Sequence, residues 1–427
     1  MIDISTIKLY NESATLSHVK ALAFKRKAGT EGETKCINYI LQELHKEHIE
    51  PTIESFEWTN TLTIIMKLIF TYIFINSISY LILLIYIHIT WIILPFNILF
   101  IIIIYYSGKK IFDNTRIIYI GKRKKSKNII TTFKARDLYH KRPVIIISSH
   151  HDTTSLRYSM TFLKILYIAG VFLILSFLIL TFILSIWSLV ALFQSAQFDV
   201  IYFIFRIISL IMGTILLVVN VIILGNKKSD NSIGSIDNAS GVAILIELAK
   251  LIKQIPLEKT DVIFIWCGAE EMGLWGSIQY CKEHFEELLD DYDLESSYNI
   301  NIDMVGTYIG LIDKRGIFKK KPLNENLNDV LDASAKQQSI ALKRESIKIG
   351  IGSSDHASFH AYAKKKKLKK FQVSAFISDK DTKFIHSTKD TPDKCSAKNL
   401  NNCVEICYNA MKSLDLRVEP KKAKKAV

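Results

Sequence analysis

Val144-Ile145-Ile146-Ile147-Ser148-Ser149-His150-His151-Asp152 is the stretch whose reading decides the fold. Val144 to Ser148 is a short, β-branched apolar run with the composition of a buried strand, and it delivers His150, His151 and Asp152 just beyond its end. Open α/β sheets bind their ligands outside the carboxyl ends of their strands. The same arrangement recurs downstream. Asp261 to Trp266 is a β-rich run followed by Glu270-Glu271, and Tyr298 to Ile302 is a strand followed by Asp303. Val242 to Ile255 and Ile278 to Leu289 have helical periodicity, as does Lys35 to Glu47 after the turn Gly29-Thr30-Glu31-Gly32-Glu33. Strands alternating with helices imply an α/β fold with a mixed, largely parallel central sheet flanked by helices.

Two regions interrupt this pattern. From Thr61 to Tyr106 the only formal charge is Lys67, and from Phe162 to Leu224 the apolar run is broken only by Lys164, the polar patch Gln194 to Asp199, and Arg206. A bilayer span needs about 20 apolar residues, so each region is long enough to cross twice, as a hairpin. Buried core helices can also be apolar all round, but uninterrupted runs beyond about 18 residues are rare in globular cores. The second hairpin has arms Lys164 to Phe193 and Val200 to Leu224. In the first, Asn76-Ser77-Ile78-Ser79 and His88 to Pro95 are both candidate turns. Four transmembrane helices are thus expected, with every soluble part on one side.

Lysines and arginines cluster after the first hairpin (Lys109, Lys110, Arg116, Lys122, Arg123, Lys124, Lys125, Lys127) and after the second (Lys227, Lys228), whereas the short tips carry none. The positive-inside rule then puts the soluble parts in the cytoplasm, with the hairpin tips facing out. Met1 to Tyr10 lacks a charged segment leading into an apolar core, so no cleaved signal peptide is expected. Were the domain to face a lumen, Asn11-Glu12-Ser13 would be a glycosylation sequon. The six cysteines (Cys36, Cys267, Cys281, Cys395, Cys403, Cys407) show no CxxC spacing and read as reduced thiols. The net charge of +14 and the runs Lys364 to Lys367 and Lys421 to Lys425 come without a nucleic-acid motif. Attraction to anionic lipid is the preferred reading, so a lipid bilayer is an expected partner and a nucleic acid is not.

The chemistry follows from five segments in order: His150-His151-Asp152, Asp237-Asn238-Ala239-Ser240-Gly241, Glu270-Glu271, Asp303, and His386 within His386-Ser387-Thr388-Lys389-Asp390. A two-metal hydrolytic site needs a bridging carboxylate, further nitrogen or oxygen ligands for each ion, and a base beside the shared water. Each residue alone reads more readily as a surface or capping group. Together they supply every role. Imidazole with carboxylate suits zinc, with cobalt or manganese as substitutes.

From about Gly29 to Pro392 these segments resemble the M28 family of co-catalytic zinc peptidases. Gly29-Thr30-Glu31-Gly32-Glu33 is similar to its G-T-x-G-E segment, and Ser354-Asp355-His356-Ala357-Ser358-Phe359 to its S-D-H-x-x-F segment. The resemblance implies two Zn2+ ions. It makes His150 a ligand of the first zinc with Asp152 orienting it, Asp237 the bridging aspartate ahead of a cis peptide, and Glu270 the general base. It further implies that Glu271 completes the first zinc, and that Asp303 and His386 hold the second. Asp355 and His356 are expected to shape the substrate pocket or brace ligands, Asp390 to orient His386, and His151 to pack. Unlike ordinary members, this chain carries one hairpin upstream of the catalytic strands and the other between His150 and Asp237, and Ile236 stands where the family often has an acid.

The domain reading is 1–60 (N-terminal part of the peptidase domain), 61–106 (first hairpin), 107–161 (first ligand segment), 162–224 (second hairpin), 225–418 (remaining ligands and base) and 419–427 (basic tail). The expected function is a membrane-anchored, zinc-dependent exopeptidase of short peptides, foremost an aminopeptidase. Carboxypeptidase or glutaminyl-cyclase-like activity, or a catalytically silent membrane scaffold on a peptidase fold, are the alternatives.

Overall fold

The computed structural model describes residues 12–83, 91–111, 113–137, 141–194, 200–316, 319–347 and 353–419. The chain divides into two compact units: residues 1–60, 114–155 and 229–427, and residues 61–113 and 156–228. In the first unit, α1 (Glu12–Ala21) and α2 (Glu31–His45) precede β1 (Thr52–Trp58). The second unit holds α3 (Thr61–Leu83) and α4 (Ile93–Ile111). After β2 (Lys124–Phe133) and β3 (Val144–His150), the residue pairs β4 (Ser155–Leu156) and β5 (Lys228–Ser229) enclose α5 (Met160–Gln194) and α6 (Val200–Gly225). The remainder runs α7 (Ser240–Gln254), β6 (Asp261–Cys267), α8 (Trp275–Asp291), β7 (Tyr298–Ile302), β8 (Gly310–Arg315), β9 (Lys321–Pro322), α9 (Leu327–Gln337), β10 (Lys343–Ile347), α10 (His356–Lys365), β11 (Gln372–Phe376) and α11 (Ala397–Leu416).

The sheet order is β1-β2-β6-β3-β7-β11-β8-β10, with β9 beside β8. Its middle four strands, β6-β3-β7-β11, are mutually parallel, and β2 joins β6 antiparallel. Every residue of β3 and of β6 is buried, which explains why both read as unbroken apolar runs rather than as alternating ones. Because the four central strands run the same way, the segments after His150, Cys267, Ile302 and Phe376 emerge along one edge.

The helical unit buries several polar side chains, among them Ser77, Asn97, Thr181, Ser185, Ser188, Ser209 and Asn220, and exposes many apolar ones. On α6, Tyr202, Ser209, Gly213, Leu216, Asn220 and Ile223 form one buried stripe, while Ile204, Ile207, Ile211, Ile215, Val218 and Val221 face outward. A Cβ on Gly213 would come within 2.9 Å of Leu81 Cδ2 and 3.0 Å of Phe177 Cε2, so α3, α5 and α6 meet closely at that point. Tyr80 donates its hydroxyl hydrogen to the Thr181 carbonyl, 2.5 Å away. Among the described residues three helices are long and apolar enough to cross a membrane: Thr61–Leu83, Met160–Ala191 and Val200–Gly225. The apolar stretch of α4, Leu94–Ile103, is shorter, so the expectation of four full spans is met by three.

Asn76 to Ser79 lies inside α3 and is not the turn of the first hairpin; of the other candidate, His88 to Pro95, residues 93–95 open α4 and residues 88–90 lie outside the described residues. Residues 84–90 and 195–199, Asn11 of the sequon, and the tail from 420 onward, with its Lys421 to Lys425 run, lie outside the described residues.

Candidate metal centre

His150 closes β3, and its Nε2 lies 3.1 Å from Asp237 Oδ1 and 3.4 Å from Asp303 Oδ1. His386 Nε2 lies 3.1 Å from Asp237 Oδ2 and 2.9 Å from Glu271 Oε1. The donors thus fall into two sets, His150-Asp237-Asp303 and Asp237-Glu271-His386, within which the ligand atoms lie no more than 4.8 Å apart. Asp237 belongs to both and turns one oxygen toward each. This corrects the expected division of ligands: Asp303 stands with His150, and Glu271 with His386. The sequence carries the residue types but not the spatial neighbours: β3 pairs with both β7 and β6, and Asp303 directly follows β7 whereas Glu271 sits further out, on the turn beyond β6.

The donor set fits two divalent cations. Asp303 Oδ1 is buried and finds no hydrogen-bond donor among the described residues, a cost that a bound cation would remove. Burial would lift the Asp237 carboxyl, yet the His150 and His386 imidazoles on either side hold it below the usual carboxylate range. Burial disfavours charge on His150, but Glu270, Asp152, Asp237 and Asp303 together push its imidazole well up. Burial, opposed by His150 and reinforced by Glu271, Asp355 and Asp303, raises Glu270 well above an ordinary glutamate. These are the signatures of carboxylates crowded where positive charge is due.

Backbone geometry is unusual at the site. The Asp237-Asn238 peptide is cis, and Ala269, Met304 and His386 take positive φ although none is glycine. All three flank or form ligand segments, where such conformations concentrate.

Asp152 lies against His150, as expected of a group that orients it, and makes further contacts that the sequence did not suggest. His150 Nδ1 is 3.2 Å from the Asp152 main-chain carbonyl and 3.6 Å from its carboxylate. The carboxylate also accepts the amide hydrogens of Glu270 (2.9 Å) and Glu271 (3.3 Å), holding the two adjacent glutamates in one grip. Asp390 likewise accepts from the amides of Ile236 (2.6 Å) and Asp237 (3.2 Å) rather than orienting His386, whose Nδ1 finds no partner among the described residues. Burial pushes the Asp390 carboxyl up to about 7.

Asn238 is a residue that the sequence reading passed over. Its Nδ2 donates to Ser149 Oγ and to the Ile302 carbonyl, both at 3.0 Å, and its Oδ1 accepts from the amides of Gly241 (2.9 Å) and Met304 (3.3 Å). One side chain thereby ties the Asp237 turn to the ends of β3 and β7. Gly241 is required beside it, since a Cβ there would lie 2.3 Å from the Ile302 carbonyl oxygen. The only sequence signal was the run Asp237-Asn238-Ala239-Ser240-Gly241 itself.

His151 packs inward, its Nε2 3.0 Å from the Lys127 carbonyl. Asp355 is fully buried next to the centre, and burial raises its carboxyl to about 6. His356, also buried, is held down to about 3 by that burial. The Gly29 to Glu33 turn is structural: Glu33 accepts from the Gly29 amide (2.6 Å) and from the Ser126 hydroxyl.

Residues 219–411 match Peptidase family M28. Over 129 residues the chain is 36% identical to Aminopeptidase YwaD of Bacillus subtilis (strain 168), a match that takes in 30% of this chain and 26% of that relative. The matched region is therefore about a quarter of the length of that curated protein. Among solved structures, the aminopeptidase from Aneurinibacillus sp. strain AM-1 aligns with a TM-score of 0.54 at 16% identity, covering 96% of both chains. BSAP, a zinc aminopeptidase from Bacillus subtilis, aligns at 0.51 with 14% identity over 97% of this chain and 96% of its own. A glutaminyl cyclase from an Acidobacteriales bacterium aligns at 0.52 with 13% identity over 96% of each. At these identities the structural likeness establishes the fold.

Proposed function

We propose, for a chain that belongs to Peptidase family M28 through its residues 219–411, that the centre at the carboxyl edge of the sheet is a two-zinc hydrolytic site and the protein a membrane-anchored aminopeptidase of short peptides. One observation carries this reading: Asp237 presents its two oxygens to two separate imidazole-carboxylate sets. The resemblance to Aminopeptidase YwaD supports the choice of aminopeptidase.

Zinc ions in these two sets would lower the pKa of a water and polarise the scissile carbonyl. The protein's own residues do the rest. His150, Asp237 and Asp303 hold one position, and Asp237, Glu271 and His386 the other. Glu270, whose carboxyl is raised by burial, accepts the proton of the attacking water and delivers it to the departing amine. Asp152 keeps Glu270 and Glu271 in register through their amides, so base and ligand move as one. A short peptide is the expected substrate because exopeptidase chemistry acts at a chain end.

The anchoring reading rests on α3, α5 and α6, with α4 as the fourth crossing, and the positive-inside distribution favours a cytoplasmic catalytic domain. Resistance to carbonate extraction tests the anchor.

The activity is tested by amino-acid release from paired unblocked and N-acetylated peptides at saturating zinc, with wild type and Glu270→Ala side by side. Cleavage of free-amine peptides alone, lost in Glu270→Ala, is the expected result. Zinc-loaded protein that cleaves neither set would refute the aminopeptidase reading.

A further inference from the structure

We propose that Arg26 is a positioning residue of this centre: its guanidinium clamps together the turn after β3, which carries His150 and Asp152, and the turn that leads into Asp237. The inference rests on the metal-site reading above and goes beyond the ligands and base.

Arg26 is completely buried, and a buried charge persists only where its donors are satisfied. Its described side-chain partners are all main-chain carbonyls. Nε donates to His151 (3.0 Å), and Nη2 donates to Gly234 (2.8 Å). Nη1 is shared among Ile233 (2.6 Å), Leu22 (2.7 Å) and Phe24 (3.2 Å). The main chain adds a reciprocal pair with Thr153: the Arg26 amide donates to Thr153 Oγ1 (3.0 Å), and the Thr153 amide donates to the Arg26 carbonyl (3.3 Å).

The geometry of these partners is what matters. His151 and Thr153 flank Asp152, while Ile233 and Gly234 immediately precede the Ser235–Ala239 segment that bears Asp237. The insertion Leu156 to Lys228 separates these two turns by a long stretch of chain; where it leaves and returns, β4 pairs with β5, and Ser155 Oγ meets Ser229 Oγ (2.6 Å) and accepts the Asn231 amide (2.8 Å). Beyond that pair, at His151 and at Ile233-Gly234, one planar fork from a third segment bridges the two turns. Gly234 takes φ +56°, and a Cβ there would lie 2.3 Å from Thr153 Cγ2 and 3.1 Å from Arg26 Nη2, so the clamp closes around a position with no room for a side chain. The guanidinium also places a permanent positive charge near Asp390, Asp152 and Asp237.

Lysine keeps the charge but offers one nitrogen with three hydrogens instead of a fork of five, so it cannot reach the His151 and the Ile233-Gly234 carbonyls at once. The test is a zinc titration against a chromophoric chelator on detergent-purified, full-length wild type, Arg26→Lys and Arg142→Lys, with thermal melts and kcat and KM for each. Arg142 pairs with Asp261 (2.9 Å) at the start of β6, the end of that strand remote from Glu270, and is the control for loss of a partly buried guanidinium.

Arg26→Lys is expected to bind at least one zinc roughly tenfold to a hundredfold more weakly, the usual effect of losing a group behind the ligands. Its kcat should fall by at least about tenfold with a smaller change in KM, while Arg142→Lys melts earlier but keeps wild-type zinc affinity. Zinc affinity in Arg26→Lys no weaker than in Arg142→Lys would overturn the proposal. Should Arg26→Lys not fold, Thr153→Val removes only the hydroxyl that accepts the Arg26 amide. A zinc affinity roughly threefold to tenfold weaker is then expected, and an unchanged one would overturn the clamp. Wild type that binds no zinc would refute the metal-site reading itself, and the clamp with it, an outcome distinct from failure of the variants alone.

Discussion

Replacing Asp152 with asparagine separates two roles that the sequence runs together. The carboxylate accepts two amide hydrogens, from Glu270 at 2.9 Å and Glu271 at 3.3 Å, whereas His150 Nδ1 lies nearer the Asp152 main-chain carbonyl. Asparagine preserves that carbonyl and one acceptor, but turns an NH2 group toward the other amide, donor against donor. A hydrogen bond to a charged acceptor is worth about 1.5–3 kcal/mol. If that cost is felt in the transition state, it corresponds to a kcat roughly tenfold to a hundredfold lower, at about 1.4 kcal/mol per decade. The His150 ligand set is untouched, so zinc content is expected to stay at the wild-type level. Steady-state hydrolysis of a free-amine peptide, read with metal analysis of the same preparation, checks both halves. An unchanged kcat would refute the amide-grip argument, and a preparation that loses zinc in proportion to kcat would show that Asp152 acts through His150 instead.

Three further outcomes follow from the same geometry. Asp390→Asn should weaken zinc binding about tenfold or more by releasing the Ile236 or Asp237 amide, as chelator competition would show; equal affinity would contradict that role. Gly241→Ala would press a methyl group to 2.3 Å from the Ile302 carbonyl oxygen and 2.5 Å from Asn238 Oδ1, costing about 3 kcal/mol in denaturant unfolding, and a loss below about 1 kcal/mol would contradict the packing. Burial raises Glu33 to about 7 from an ordinary value near 4.5, so the folded state holds a proton that the unfolded chain has released across that window. Its contribution to stability is therefore present below about pH 4.5 and lost as pH rises toward 7. Relative to Glu33→Gln, wild type should lose about 3 kcal/mol across that range, and a pH-independent difference would count against the assignment.

The central strands were legible because burial on both faces leaves an unbroken β-branched run: Tyr298 to Ile302 was bounded to the residue, and Asp261 to Trp266 to within one. Among the candidate ligands, His150, Glu271 and Asp303 were legible because each ends or follows such a strand, and Asp237 because it leads into a helix, whereas His386 lies in a turn well beyond β11. Their partition was not, since which ligand stands beside which depends on the pairing of β3 with β7 across about 150 intervening residues. Helix boundaries shifted as well; α2 begins at Glu31, inside the segment read as a turn. The roles of Asp152, Asp390, Asn238 and Arg26 were hidden for a shared reason. Each binds main-chain amides or carbonyls, and main-chain partners leave no mark in the sequence. The helical unit was the reverse case, because composition alone announces an apolar exterior, although α4 carries too short an apolar stretch to match the other three helices.

Metal analysis of the detergent-purified, full-length wild type, beside His150→Ala and His386→Ala, tests the central claim most directly. The expected result is about two zinc ions per chain in wild type and a loss in each variant, since each histidine serves a different set sharing Asp237. A wild type holding no zinc after saturation, or two ions that both survive loss of either histidine, would contradict it.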